Sequence, residues 1–401
     1  MKRSLFLILV FVFIDVLGFS LILPLLPFYA ETFNASPTVV GLLLGANALT
    51  QLIGAPILGR LSDRYGRRPL IILSIAGTLV GFLLLGWAGS LWMLFLSRVL
   101  DGFLGGNISL AQAYVTDVTD KQDRAKGLGF IGAAFGLGFM FGPALGGRLS
   151  AGGNYALPAF VAAALSALNL LGVLLWLPES LSPERRTEKV NNSRRDFTVQ
   201  ALFEALGRPC VGPLLIIRLF YGLAFTIFQT VFALFVDKRL GLGAEQTGYL
   251  LTYVGLLIVA IQGGGIGLLT KRFSDKKLIF GATILLSFSL LAWGFAPNLV
   301  WLLIIMAPVA LSGGVLNVVT NSALTKSVYP EEVGGTLGVA ASWASLVRVV
   351  SPVMGSFLLD RVSPAAPGVL GALLMVWLIP YIWQRVLFEA DLACPPEMQY
   401  A

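Results

Sequence analysis

The chain has 401 residues, of which 57% are hydrophobic and 12% are charged, and its formal net charge is +7. Soluble domains carry roughly 25% charged residues, so this composition excludes an ordinary water-soluble protein. We therefore expect the positive charge to lie against anionic lipid rather than nucleic acid, which would need a soluble basic domain.

Long apolar runs divide the sequence into twelve segments, each close to the ~20 residues that an α-helix needs to cross a bilayer. We call them spans 1 to 12. They are predicted at residues 4–30, 38–60, 69–88, 91–114, 126–148, 155–177, 211–236, 245–268, 277–296, 298–325, 336–360 and 366–386. The first run is too long for a cleaved signal peptide and contains Asp15, so we expect span 1 to be retained.

The basic residues predict the orientation of the chain. Most of the 28 Lys and Arg residues fall on one side of the membrane, which places both termini in the cytoplasm by the positive-inside rule. The sequence therefore predicts a multi-pass protein of the cell membrane, with the bacterial inner membrane as the expected location. We expect a monomer whose surroundings are the lipid bilayer and whose partner is a small-molecule substrate.

A long polar stretch at residues 178–210 predicts a cytoplasmic linker. It separates an N-terminal six-helix bundle at 1–177 from a C-terminal six-helix bundle at 211–388, and a cytoplasmic tail follows at 389–401. The predicted fold class is an all-α membrane protein with twelve transmembrane helices in two bundles.

The two halves also resemble each other in sequence. Leu128-Gly129 recurs as Leu337-Gly338, and Gly142-Pro143 as Ser351-Pro352, at a constant offset of 209 residues. Duplicated bundles in membranes commonly meet around a central site that opens alternately to each side. The bundles are therefore predicted to be pseudo-symmetric, and a transport function is favoured.

Three longer motifs occur in a fixed order in the first half. The run Gly59-Arg-Leu-Ser-Asp-Arg-Tyr-Gly-Arg-Arg-Pro69 resembles the loop 2–3 signature of the major facilitator superfamily. Span 4 carries Arg98 before several glycines, and span 5 carries Gly138-Phe-Met-Phe-Gly-Pro-Ala-Leu-Gly-Gly147, which resembles the motif of drug/proton antiporters. The glycines of span 4 are Gly102, Gly105 and Gly106.

Shorter matches resemble the twelve-helix tetracycline-efflux type. They are Asp15-Val-Leu-Gly18, Pro24-Leu-Leu-Pro27, Gln51, Tyr114-Val-Thr-Asp-Val-Thr-Asp120 and Leu177-Pro-Glu-Ser180. The second half matches less well, and tetracycline pumps tend to carry a span 8 histidine, whereas this chain has no histidine. The resemblance implies export of drug-like compounds in exchange for protons, as in antibiotic or multidrug resistance, without implying tetracycline itself.

The resemblance also implies that loop 2–3 is a conformational latch on the cytoplasmic side. The latch residues are Gly59, Asp63, Arg64, Gly66, Arg67 and Arg68. The alternative is that these basic residues only fix the topology.

The antiporter motif in span 5 consists of Gly138, Gly142, Pro143, Gly146 and Gly147. Small residues along one helix face allow another helix to approach closely, and proline bends the helix. We predict a close crossing of span 5 with span 8, whose partner glycines are Gly263, Gly264, Gly265 and Gly267.

A charged side chain in the middle of a membrane helix costs about 2.5–3.5 kcal/mol, so each one needs a reason. The predicted spans contain Asp15, Arg98, Asp101, Arg218 and Arg348. Asp15 has no basic residue within one helical turn, which is typical of a proton carrier, although a hydrogen-bonded packing aspartate is the alternative. Arg98 and Asp101 share a helix face and form either a structural ion pair or part of the proton coupling that the resemblance assigns to Arg98.

Polar and aromatic residues within the spans are candidates for a substrate cavity, although a structural role is equally open for each. They are Asn47, Gln51, Gln112, Phe225, Gln229 and Asn317. A mostly apolar lining suits an amphipathic or lipophilic solute better than a sugar.

Several classes of protein are excluded by missing motifs. The sequence has no Gly-x-x-x-x-Gly-Lys-Ser/Thr loop, which excludes an ATP-driven pump, and no catalytic constellation, so we do not expect an enzyme. The sequence has two cysteines, Cys210 and Cys394, and from these we predict neither a disulfide framework nor a metal site.

The predicted function is therefore proton-coupled efflux of a small amphipathic or lipophilic compound. The proton gradient supplies the energy, and no cofactor is expected. Two alternatives stay open, because a fold does not fix a function. One is an uptake symporter for a small metabolite, and the other is a non-transporting receptor of the same fold.

Overall fold

A computed structural model describes residues 3–120, 123–181, 199–329 and 332–388. Most of the predicted linker and the whole predicted tail lie outside these residues. The described residues form α-helices and two short π-helical segments, at Ile261–Gly265 and Trp383–Phe388, and contain no strand. The α-helices are α1 Arg3–Ile22, α2 Leu26–Glu31, α3 Pro37–Tyr65, α4 Arg67–Gly86, α5 Leu91–Leu104, α6 Asn107–Val118, α7 Arg124–Leu149, α8 Ala156–Trp176, α9 Val199–Leu206, α10 Val211–Leu240, α11 Ala244–Ala260, α12 Ile266–Arg272, α13 Asp275–Gly294, α14 Leu299–Lys326, α15 Val333–Arg361 and α16 Ala366–Ile382.

Ten of the described helices are long and apolar enough to cross a membrane. The two remaining predicted crossings, spans 4 and 8, are interrupted helices. Span 4 consists of α5 and α6 with a break at Gly105 and Gly106, and span 8 consists of α11, the segment Ile261–Gly265 and α12. Adjacent glycines weaken a helix because no side chain restricts the backbone. The structure is therefore consistent with the predicted twelve crossings.

The chain divides into two compact units. The first comprises Met1–Asp196 and Leu242–Gly255, and the second comprises Phe197–Gly241 and Leu256–Ala401. The first part of α11 thus groups with the first unit. The boundaries predicted from the sequence for the bundles, linker and tail stay predictions.

In the first unit, one face of α1 packs against other helices. Its residues Ile8, Phe11 and Val16 are buried together with Leu110 of α6 and Ile131 of α7. Polar side chains add contacts to backbone carbonyl groups, and the Ser20 hydroxyl donates to the Gly138 oxygen at 2.8 Å. This packing places Asp15, which α1 carries, inside the unit.

In the second unit, aromatic side chains fill the core around α10. The rings of Phe228 and Trp293 lie 4.9 Å apart, and those of Phe235 and Trp293 lie 4.7 Å apart. Aromatic pairs at such distances stabilise a core beyond the area that they bury. Cys210, which precedes α10, is disulfide-bonded, and this bond was not predicted from the sequence.

Span 5 and span 8 do cross closely within the first unit, through different glycines from those predicted. A Cβ atom at Gly255 of α11 would lie 3.2 Å from Met140 Cα of α7, and a Cβ at Gly147 would lie 3.1 Å from the Ala244 carbonyl oxygen. A Cβ at Gly264 or Gly267 would have no neighbour within 4 Å among the described residues. The helix pair was predicted correctly, whereas the choice of Gly264, Gly265 and Gly267 as the contact was wrong, and the surroundings of Gly263 lie outside the described residues.

Candidate functional site

A buried amide connects three helices of the first unit. Asn107 is the first residue of α6, so the break in span 4 directs its side chain towards α1. Its Nδ2 atom donates to Asp15 Oδ1 at 2.6 Å and to Thr78 Oγ1 of α4 at 3.3 Å. Asp15 is therefore hydrogen-bonded within the unit, and its bonding partner had no assigned role in the sequence analysis.

The predicted pair of Arg98 and Asp101 is present in α5. Arg98 Nη1 lies 3.2 Å from Asp101 Oδ2, and only 3% of the Arg98 side chain is exposed. The guanidinium also lies 5.7 Å from the centre of the Phe82 ring, which is within the range of a cation–π contact. Asn47 of α3 completes the pair, since its Nδ2 donates to Asp101 Oδ2 at 3.2 Å and to the Arg98 carbonyl at 3.0 Å.

Thr78 lies close to both groups, because its hydroxyl accepts from Asn107, and Gly81, one turn further along α4, packs against Asp101. We call the two hydrogen-bonded groups together the polar network. It consists of Asp15, Asn47, Thr78, Arg98, Asp101 and Asn107. Two of its polar atoms, Arg98 Nη2 and Asn107 Oδ1, are buried without a hydrogen-bond partner among the described residues. The network thus retains hydrogen-bonding capacity in its interior.

Glycines bring the backbones around the network together. A Cβ atom at Gly81 of α4 would lie 3.1 Å from Asp101 Cβ, and one at Gly102 of α5 would collide with the carbonyl group of Asn47. The small size of glycine is therefore what allows Asn47 to reach across from α3.

The predicted cavity residues of the first unit have different surroundings. Asn47 belongs to the polar network, and Gln51 Nε2 donates to the Gly105 carbonyl at 3.0 Å, so it satisfies the backbone at the break in span 4. Gln112 is exposed. Two of these three side chains thus have structural partners.

In the second unit, Phe225 is half-buried and packs over Gly313, with its ring 5.7 Å from that of Tyr221. Gln229 and Asn317 are exposed. The assignment of all six residues to a substrate cavity stays a prediction.

The loop 2–3 motif is organised by Arg67, whose side chain is 5% exposed. Its Nη2 lies 2.6 Å from Asp63 Oδ1 of α3, and its Nε lies 3.0 Å from Asp117 Oδ2 of α6. Gly66 separates α3 from α4 with a φ of 107°, a conformation that side chains disfavour. Arg67 therefore joins the ends of three helices.

The other members of the motif have separate contacts. The Arg64 guanidinium lies 5.5 Å from the centre of the Tyr65 ring, and Arg68 Nη2 donates to the Leu174 carbonyl at 2.6 Å. A Cβ at Gly59 would meet no described atom within 4 Å. Gly59 is thus not required by packing within the described part of the chain.

Glu179 caps the start of α4, a role that was not predicted. Its carboxylate oxygens accept from the backbone N–H groups of Arg67 at 2.9 Å and Arg68 at 3.2 Å. An acidic group at a helix N-terminus satisfies free N–H groups and complements the helix dipole. The short match Leu177-Pro-Glu-Ser180 therefore has a structural explanation.

Replacing Glu179 by alanine is expected to lower the free energy of unfolding by about 1 kcal/mol, as for loss of a helix cap. Glu179→Gln keeps an acceptor oxygen and should lose less. The melting temperatures of the purified variants in detergent check this, and equal values for wild type and Glu179→Ala would contradict the capping role.

The antiporter motif of α7 packs chiefly against α1. A Cβ at Gly138 would lie 3.0 Å from the Leu17 backbone nitrogen, and one at Gly142 would lie 2.9 Å from that of Leu21. A Cβ at Gly146 would collide with the Leu21 carbonyl. On another side of α7, the Pro143 carbonyl and Gly147 face α11. The motif therefore fixes the position of the helix that carries Asp15.

Membrane-length helices, two interrupted crossings and a buried ionisable network together define a polytopic membrane transporter. The family model described as "Major Facilitator Superfamily" matches residues 8–266 and 214–391. The chain therefore belongs to the major facilitator superfamily, and it is not an enzyme.

Among curated proteins, the chain is 31% identical over 364 residues to the tetracycline resistance protein, class C, of Escherichia coli, covering 88% of this chain and 89% of that protein. It is 29% identical over 385 residues to the class B protein of the same organism, covering 94% and 92%. Multidrug resistance protein 2 of Bacillus subtilis is 28% identical over 365 residues, covering 90% of each.

Among solved structures, a D-xylose-proton symporter aligns with a TM-score of 0.75 and 15% identity, covering 96% of this chain and 98% of that chain. The human organic anion transporter MFSD10 aligns with a TM-score of 0.69 and 21% identity, covering 95% and 99%. At these identities the likeness shows the fold alone.

Proposed function

We propose that this transporter exports a small amphipathic or lipophilic, drug-like compound in exchange for protons. The proton gradient supplies the energy, and no cofactor takes part. Relatives named for tetracycline and multidrug resistance support this proposal at 28% to 31% identity. The observation that carries it is the polar network around Asp15.

The two carboxylates of the network have different partners. Asp101 is paired with Arg98, a permanent cation, so its charge is neutralised by the guanidinium. Asp15 contacts an amide instead, so a proton is the group that can neutralise it. We therefore assign proton exchange to Asp15 and a positioning role to Arg98 and Asp101.

Asn107 suits both protonation states of Asp15. An asparagine side chain has two donor N–H groups and an acceptor oxygen. Its Nδ2 donates to the Asp15 carboxylate, while its buried Oδ1 has no partner among the described residues. Rotation of the amide would let Oδ1 accept a hydrogen bond from a protonated Asp15. Asn107 can therefore hydrogen-bond Asp15 in both protonation states.

We assign the conformational step to the loop 2–3 motif, with Arg67 at its centre. Its contacts with Asp63 and Asp117 join the ends of three helices. Because Arg67 is largely buried, breaking these ion pairs is costly, and they can hold one conformation until the helices move. The substrate is assigned to the polar and aromatic residues Asn47, Gln51, Gln112, Phe225, Gln229 and Asn317.

The test measures uptake of tetracycline into everted membrane vesicles under an imposed pH gradient. We expect Asp15→Asn to lose at least about tenfold of the gradient-driven uptake, the lower end of the contribution of a positioned proton-transfer group. Exchange of labelled for unlabelled compound across the membrane, which needs no net proton movement, should persist.

Glu245→Gln is the matched control, because Glu245 is a carboxylate at the start of α11 with Arg148 3.6 Å away. This variant should transport like wild type. Undiminished gradient-driven uptake by Asp15→Asn would end the assignment of proton exchange to Asp15. Accumulation in right-side-out vesicles instead would support the uptake symporter.

A further inference from the structure

Two arginines lie inside membrane-length helices of the second unit. Arg218 is on α10, two turns after its start at Val211, and Arg348 is near the middle of α15. An arginine side chain stays protonated at any accessible pH, and a cation within a membrane helix is costly. Each therefore needs a compensating negative charge.

The described residues of the second unit place no such charge beside either arginine. In its described portion, neither arginine makes an ion pair or a side-chain hydrogen bond. The acidic residues of its spans lie near helix ends, namely Asp237, Asp275 and Asp360. The first unit differs in this respect, because its buried Arg98 has Asp101 beside it.

Both arginines lie near one contact between α10 and α15. A Cβ atom at Gly222 of α10 would lie 3.8 Å from Cγ1 of Val347, the residue before Arg348, so the helices touch at this level. Arg218 lies one turn before Gly222, and Arg348 directly follows Val347, so both arginines lie close to this contact. Two like charges held together repel each other, which strengthens the need for an anion.

Arg348 does not face the side of α15 that is suited to lipid. An exposed apolar stripe runs along Leu346, Val350 and Phe357. At 100° per residue, these positions lie on the opposite side of the helix from Arg348. The face of Arg348 instead carries small residues, Ala341, Ala344 and Ser345.

Arg218 shares its face of α10 with aromatic and polar residues. Phe225 and Gln229 follow it at intervals of two and three turns. Tyr221 lies between Arg218 and Phe225 in the sequence, and its hydroxyl donates to the Gly313 carbonyl at 2.9 Å. A cation, an aromatic ring and an amide thus stand in line along one helix face.

The internal duplication shows that packing does not require these charges. At the offset of 209 residues, Gly355 corresponds to Gly146, and both receive a neighbouring helix closely, with Gly355 facing Ile227 and Val231. The same offset sets Arg218 against Leu9 and Arg348 against Phe139. The equivalent helix pair of the first unit therefore packs with apolar residues at both positions.

We propose that Arg218 and Arg348 form an anion-binding site in the second unit, which takes the acidic group of an amphipathic organic anion. The guanidinium groups bind the carboxylate or sulfonate, and the apolar part of the compound packs along the Phe225 face of α10. The inference rests on the proposed function, since it names the charge of the exported compound.

The test uses purified protein in nanodiscs of phosphatidylcholine and two isosteric probes, 2-naphthoate and the neutral 2-naphthamide. We expect wild type to bind the acid at least about tenfold more tightly than the amide, as a charge-assisted hydrogen bond provides. Arg218→Gln and Arg348→Gln should each remove this preference and leave amide binding unchanged, which also shows that they fold. Arg361→Gln, the same change at the end of α15, is the matched control and should keep the preference.

Equal affinity of wild type for the acid and the amide would overturn the proposal, as would full acid binding by Arg348→Gln. Nanodiscs with phosphatidylglycerol provide a further arm. The occupant is a lipid headgroup, and the proposal is wrong, if two results are found together. Phosphatidylglycerol abolishes binding of the acid, and this lipid stays bound to purified wild type but not to purified Arg348→Gln. Asp15→Asn should bind the acid normally, so a failure of proton coupling is distinguishable from a failure of the anion site.

Discussion

Replacing Arg98 by glutamine is expected to abolish transport and to lower the melting temperature of the protein strongly. The variant leaves the Asp101 carboxylate buried, with the uncharged Asn47 amide as its hydrogen-bond donor. Breaking a buried ion pair by removal of one partner costs about 3–5 kcal/mol. Thermal unfolding in detergent measures the stability, and pH-gradient-driven uptake of tetracycline measures the activity.

The double variant Arg98→Gln/Asp101→Asn separates structure from coupling. Because it removes both charges, it should recover most of the lost stability, while the uptake should stay absent. Wild-type uptake by the double variant would show that the pair is structural alone. An unchanged melting temperature in Arg98→Gln would contradict the buried ion pair itself.

Replacing Gly146 by alanine is expected to separate α1 from α7. The added methyl group would collide with the Leu21 carbonyl, which is backbone and has little room to move. Overpacking of this kind costs about 1–3 kcal/mol. The displacement of α1 should also move Asp15 away from Asn107, so uptake should fall together with the melting temperature.

Gly132→Ala is the matched control for this change, since it lies on the same helix. A Cβ atom at Gly132 would meet no described atom within 4 Å. Alanine is also the better helix former, so this variant should be as stable as wild type or slightly more stable. A similar loss of stability in both variants would show that any side chain in this part of α7 is harmful, against the specific contact with Leu21.

The fold was predictable because bilayer thickness sets the length of each apolar run. The Arg98–Asp101 pair was predictable as well, because residues three apart on a helix meet on one face. The break in span 4 and the π-helical segment of span 8 were not predicted. Adjacent glycines at 105 and 106 hardly alter the apolar character of a run.

The partners of Asp15 and Gln51 required the structure. Asn107 lies 92 residues after Asp15, and no local rule joins positions so far apart. Gln51 was predicted as a cavity residue, yet its amide binds the Gly105 carbonyl that the break in span 4 leaves free. A polar residue within an apolar run signals a partner, and only the packing shows whether that partner is backbone, side chain or ligand.

The sequence also did not predict how each helix is rotated about its axis, and so which neighbour its glycines contact. The glycines of α7 predicted a close neighbour, and the structure places α1 on one side of them and α11 on another. A row of glycines shows that a helix can be approached, whereas the side chains of both partners decide which helix comes near.

The break at Gly105 and Gly106 makes α6 a short separate helix with a polar contact near each end. Asn107 at its start hydrogen-bonds Asp15, and Asp117 near its other end forms an ion pair with Arg67. The two residues are about 15 Å apart along the helix axis, at 1.5 Å per residue. Because a helix of this length moves as one rigid unit, a tilt of α6 on protonation of Asp15 would also displace Asp117 and its ion pair with Arg67, beside the loop between α3 and α4.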